Sequence, residues 1–134
     1  MSVDGLITRR SSFSPEMTVK RLEDEVRARG MTVFAHVDHA AGAQAAGLSL
    51  RPTDLIIFGA AKGGTPLMQL AQTIGIDLPL KALIWQDEAG TTFLSYDDPA
   101  YLARRHDLGD KAKPVINVMS GVLAEVALKA TDSP

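Results

Sequence analysis

Apolar residues at spacings of three and four alternate along this chain with stretches of period two, and the two rhythms divide it into elements. Val19, Leu22 and Val26 form one helical stripe. Ser14-Pro15-Glu16 opens that helix: the serine can cap free amides, proline suits the first helical position, and glutamate faces the positive end. Gly30 is the expected stop, and Glu16/Lys20 and Glu23/Arg27 are the expected i,i+4 pairs on the wet side. From Met31 the period becomes two. This predicts a strand with Met31, Val33, Ala35 and Val37 toward the core and Thr32, Phe34, His36 and Asp38 opposite. A weaker strand is predicted over 5–12. Asp38 is expected to cap a short helix through Ala40, Ala43 and Ala46, ended by Gly47.

Leu55 to Phe58 is apolar on both faces and predicts a central strand. Gly59 to Gly64 reads as a loop, with Thr65-Pro66 starting a helix over 67–73. Residues 80–86 and 91–96 predict a hairpin across Asp87-Glu-Ala-Gly90. Asp98-Pro99 opens another helix, with Arg104, Arg105 and His106 at its negative end. The last helix, 114–130, carries Ile116, Met119, Leu123, Val126 and Ala130 as its stripe, widened by Val115, Val122 and Leu128. So apolar a helix must lie across a sheet or against a partner. The order predicts an α+β fold, a two-layer sandwich with a mostly antiparallel sheet and long helices on one face. A doubly wound parallel sheet needs regular βαβ crossovers, which the hairpin interrupts. No repeat or linker is visible, so one domain is expected over 1–134, with frayed ends at 1–4 and 131–134.

Composition narrows the function classes. The chain has 134 residues and no cysteine, which excludes disulfides, thiolate zinc sites and cysteine nucleophiles. The formal charge of -2 lacks the electrostatic footprint of a nucleic-acid binder. There is no run of 18 apolar residues, so no membrane span is expected. The start lacks the basic and apolar regions of a signal peptide, and a cytoplasmic location is the expectation.

Candidate chemistry falls in four places. His36, Asp38 and His39 offer two imidazoles and a carboxylate, but residues three apart on a regular strand point to opposite faces, so no metal site is expected. Gly59-Ala-Ala-Lys62-Gly-Gly64-Thr65-Pro66 precedes a helix start, where backbone amides attract anions and Lys62 adds a counter-charge. It is not a Walker loop, because no Gly-Lys-Ser/Thr occurs. Lys81 shares a strand face with Leu83 and Trp85; if buried it needs a carboxylate, with Asp77, Asp54 and Asp97 as choices. Tyr96, Asp97, Asp98, Tyr101 and His106 are placed to surround one pocket end. Each has a plain structural use as well: caps, packing, and charge at a helix end.

Several fixed-order motifs carry a family resemblance: Asp38-His39 before an alanine-rich stretch, Gly47-Leu-Ser-Leu-Arg51-Pro52, Ile57-Phe58-Gly59, Gly64-Thr-Pro-Leu-Met68, Asp77-Leu-Pro-Leu80, Trp85, and Tyr96-Asp-Asp-Pro99-Ala-Tyr-Leu102. Over about 10–128 the chain resembles the domain-of-unknown-function family numbered 302. It carries Ala60-Ala61 where members tend to have Asn-Pro. The resemblance implies a TATA-binding-protein-like fold in the order β-α-β4-α, often dimeric, and implies no reaction or cofactor. A small homodimeric module binding an apolar or anionic ligand is the expected function. The alternatives are an enzyme using His36, His39 or Lys81, and an interaction module whose dimer face is the stripe around Leu123.

Overall fold

The computed structural model describes residues 2–132. Five strands, β1 (Leu6–Ser11), β2 (Thr32–Asp38), β3 (Thr53–Gly59), β4 (Leu80–Gln86) and β5 (Thr92–Asp97), form one sheet in the order β1-β5-β4-β3-β2. Every neighbouring pair is antiparallel. Two long helices, α1 (Pro15–Ala28) and α5 (Lys113–Thr131), pack on one face and against each other. Three short helices, α2 (His39–Ala45), α3 (Ala61–Leu70) and α4 (Pro99–Arg105), fill the connections, with a 3-10 segment at Gln72–Asp77. This is the expected α+β two-layer architecture, and β3 is a central strand as expected, flanked by β2 and β4.

Alternation selects the covered face. Ile56, Phe58, Ala82, Ile84, Leu94 and Tyr96 point into it and are at most 5% exposed. Against them lie Val19, Leu22 and Val26 of α1 and Ile116, Met119, Leu123, Val126 and Ala130 of α5. Fully burying such a side chain stabilises by about 1.5–3 kcal/mol. By length and composition Asp110–Thr131 is also apolar enough to cross a membrane, although it holds no unbroken run of 18 apolar residues. Here its stripe is used on the sheet, so Leu123, only 3% exposed, is core and not a dimer face.

The α1 cap forms as expected: Ser14 Oγ accepts from the Met17 amide at 3.1 Å. Replacing Ser14 with alanine should cost about 1 kcal/mol, read as a lower denaturation midpoint at unchanged m-value. A change below about 0.3 kcal/mol would show that the cap is silent. The surface pairs differ from expectation: Lys20 meets Asp24 at 2.8 Å and Arg29 meets Glu25 at 2.9 Å.

Three further expectations are corrected. Strand β2 is bulged between Val33 and Ala35. The extra residue, Phe34, flips the alternation, so Ala35 and Val37 pair with open-face residues of β3, while His36 opposes Ile56 on the covered side. The stretch 61–64 is not a loop but the first turn of α3, because the Gly63 and Gly64 amides donate to the Ala60 carbonyl; Pro66 sits inside the helix. Residues 131–132 are not frayed. The Ser12 amide donates to the Thr131 carbonyl at 2.7 Å, and Arg9 reaches Thr131 Oγ1 and Asp132 Oδ1. Residues 133–134 and Met1 lie outside the described residues.

Candidate functional site

A cavity of about 590 Å³ opens between α5, the start of α3 and the start of β4. Volumes of this size suit a small ligand. Its walls are apolar: Met31 and Phe34 from the β2 edge, Met68 from α3, Leu78 and Leu80 beside the 3-10 segment, and Val115, Val118, Met119 and Val122 from α5. Among the described residues, Lys62 is the one charged residue in these walls.

The bulge that misaligned β2 turns Phe34 outward to the cavity rim, where it is 54% exposed. The helical start at Ala61 brings Lys62, Gly63 and Gly64 to the wall, where a longer loop would have carried them off. Glycine permits close approach here. A Cβ placed on Gly64 would stand 3.3 Å from Leu78 Cδ1, and one on Gly75 would stand 3.3 Å from Met68 Sδ. Three methionines supply flexible, polarisable surface that can adapt to an irregular guest.

Of the sequence candidates, the cavity gathers Lys62 and Gly64; Thr65 follows on the same helix, exposed. The others are elsewhere. His36 Nε2 meets Asp54 Oδ1 at 2.8 Å on the covered side of the β2–β3 edge. Asp38 is committed to the α2 cap, accepting from the Ala41 amide at 2.9 Å, and His39 opens that helix, exposed. Lys81 lies on the open face of the sheet, opposite Ile57, and donates to the backbone carbonyl of Asp77, not to a carboxylate. The sheet separates Lys81 from His36, so these groups do not converge in one cleft. Trp85 Nε1 donates to Ser95 Oγ at 2.9 Å on the open face, and its ring stacks on Phe93 at 4.8 Å. Tyr96 is core, and burial pushes its phenol up from the ordinary value.

Two groupings were missed by sequence reasoning. The first is the cavity lining, because nothing local distinguishes a methionine that packs from one that lines a void. The second is a polar line, Thr73–His106–Asp77, joined by Arg105. Asp77 and His106 lie 29 apart in sequence, and no short motif announces the pairing.

An open antiparallel sheet of five strands, covered by helices on one face and with an apolar cavity at one end, defines a class of small α+β module. The chain belongs to the family described as "Domain of unknown function DUF302", whose model matches residues 7–126. It is similar in structure, with a TM-score of 0.83, to the crystal structure of an uncharacterised conserved DUF302 protein from Bacillus stearothermophilus. That likeness covers 96% of this chain and 99% of the other at 21% identity. The chain is also 49% identical, over 115 residues, to a protein of Brucella suis named fluoride-specific ion channel FluC 1. The match covers 86% of this chain and 45% of that protein. A Brucella melitensis protein named fluoride-specific ion channel FluC 2 is likewise 49% identical, with 43% of its length covered. The chain thus spans less than half the length of these curated relatives.

Proposed function

We propose that this protein is a binding module that takes a small apolar ligand, or the apolar part of an amphiphile, into the cavity beside α5. The observation behind this is the cavity itself: about 590 Å³, apolar on nearly every side, with one cation at its wall. An apolar guest gains by leaving water, whereas a fully polar anion would lose hydration against Met31, Met68, Met119 and Val122 with only Lys62 to answer it. Titration with an anilinonaphthalene dye tests this. Saturable binding with enhanced emission at a ratio of one dye per chain is expected; the absence of saturable binding to folded protein would contradict it.

The name of the Brucella relatives does not carry an ion pore to this chain. Only helices and closed barrels span a bilayer, and this sheet is open-edged with its most apolar helix engaged as core. We read the pore of those relatives as belonging to the larger part that this chain does not match.

A homodimer is part of the same proposal, but through a different surface than the α5 stripe. The uncovered sheet face presents Leu55, Ile57, Leu83, Trp85 and Phe93, all half-buried, with Val37 38% exposed beside them. Contiguous apolar surface of this kind marks an interaction site, and a two-fold pairing of identical faces is the commonest closed solution. Light scattering should give twice the chain mass of 14.3 kDa, and Leu83→Asp should return it to the single mass without loss of fold. A single mass for the unaltered protein would refute the pairing.

A further inference from the structure

Away from the cavity, three side chains form a continuous hydrogen-bonded line. Thr73 Oγ1 lies 2.9 Å from His106 Nδ1, and His106 Nε2 lies 2.6 Å from Asp77 Oδ2. We propose that this line is an acyl-transfer site: Thr73 the nucleophile, His106 its general base, Asp77 the positioning residue, and small carboxylic esters the substrate class. The proposal is independent of the cavity reading and uses none of the residues that line the cavity.

The geometry assigns the roles. A carboxylate can only accept, so in the neutral imidazole the proton sits on Nε2, facing Asp77. The Nδ1 lone pair is then left for the Thr73 hydroxyl. A nucleophile on one ring nitrogen and an orienting carboxylate on the other is the arrangement by which weak hydroxyl nucleophiles are activated, and it is recognised by geometry, not by sequence order. The His106 and Asp77 side chains are 8% and 13% exposed, so both are shielded, whereas Thr73 is exposed and open to an incoming ester.

The surroundings hold this line in place. Arg105 Nη1 donates to both Asp77 oxygens, at 2.8 and 2.9 Å, fixing the carboxylate plane. Lys81 Nζ donates to the Asp77 carbonyl at 3.1 Å and holds the backbone. Ile74, fully buried, anchors the 3-10 segment between Thr73 and Asp77. A structural tie between α4 and this segment needs only the Arg105–Asp77 pair. The added imidazole, with its second nitrogen on a hydroxyl, is what a tie leaves unexplained.

The chemistry balances within the chain plus water. Thr73 Oγ attacks the ester carbonyl carbon as its proton passes to Nδ1, and the C=O π pair moves to oxygen. Arg105, held on the same carboxylate, supplies positive charge beside the site. Collapse re-forms the carbonyl, breaks the bond to the alkoxide and returns the proton from Nδ1 to it, leaving acyl-Thr73. Water then adds to the acyl carbon as its proton passes to Nδ1; collapse breaks the bond to Thr73 Oγ, the Nδ1 proton passes to that oxygen, and the acid leaves.

The test uses the full chain with p-nitrophenyl acetate, following nitrophenol release and locating any acetyl group by peptide mass spectrometry. One acetyl on Thr73 is expected. Thr73→Ala should abolish the adduct and Thr73→Ser should retain it. His106→Gln should slow its formation by roughly 10²–10⁴-fold, the span of general-base assistance. Asp77→Asn should lower the maximal rate of acetylation with the half-saturating ester concentration unchanged, a split that a merely structural tie would not produce. Both threonine variants sit at an exposed position, so their folding is secure and is checked by circular dichroism. No adduct, release undiminished in Thr73→Ala, or acetyl found only on lysines or on His106 would overturn the proposal.

Discussion

Leu123→Asp is expected to unfold the protein. Leu123 is 3% exposed at the middle of the α5 stripe, between the covered sheet face and α1. Removing the leucine side chain alone would cost about 2–5 kcal/mol from lost transfer energy and the cavity left behind. The aspartate adds a carboxylate with no buried partner, which must either stay charged in apolar surroundings or take up a proton at further cost. Together these exceed about 5 kcal/mol, against a typical total stability of about 5–15 kcal/mol. Circular dichroism should show loss of cooperative melting. A folded variant with altered oligomeric mass would mean that this stripe is an interface after all, and that α5 is not the core helix of this fold.

Val122→Trp is expected to weaken binding of the anilinonaphthalene dye at least tenfold, with little loss of stability. Val122 is half-buried and lines the cavity from α5, beside Met119. In a filled core an added indole would force neighbours off their rotamers and cost about 1–3 kcal/mol. Here it projects into open space and gains contacts with Met31 and Phe34, which also line the cavity. The dye must then give up part of its buried area, and a loss of about 1.4 kcal/mol already corresponds to tenfold in affinity. Unchanged affinity in a folded Val122→Trp protein would place the dye outside the cavity.

Much of the fold was legible because its punctuation is local. The hairpin from Leu80 to Asp97 shows in two period-two runs around Asp87 and Gly90, and Asp87 Oδ1 accepts from the Thr91 amide as such a turn requires. The caps at Ser14, Asp38 and Asp98 were readable for the same reason. Two features escaped. The bulge at Phe34 inserts a single residue without any glycine or proline to mark it, and one residue is enough to exchange the faces of β2. The early start of α3 was masked by Thr65-Pro66, which imitates a helix start inside a helix already under way.

The candidate site was legible only at its rim. Lys62 and Gly64 stood out because charge and glycine are conspicuous near a helix start. The cavity behind them is made of residues from β2, α3, β4 and α5, and a void is a property of how those elements meet, not of any one of them. The Thr73–His106–Asp77 line has the same origin: it joins a 3-10 segment to the end of α4 through contacts 29 and 33 residues long in sequence.

Methionine methyl NMR tests the central claim most directly. The chain has five methionines, of which Met31, Met68 and Met119 line the cavity, while Met17 is 45% exposed on α1. On titration with the dye, the methyl signals of Met31, Met68 and Met119 should shift together and saturate, while that of Met17 stays in place. Movement at Met17 with the other three unmoved, or no saturable movement at any of them, would contradict a ligand site beside α5.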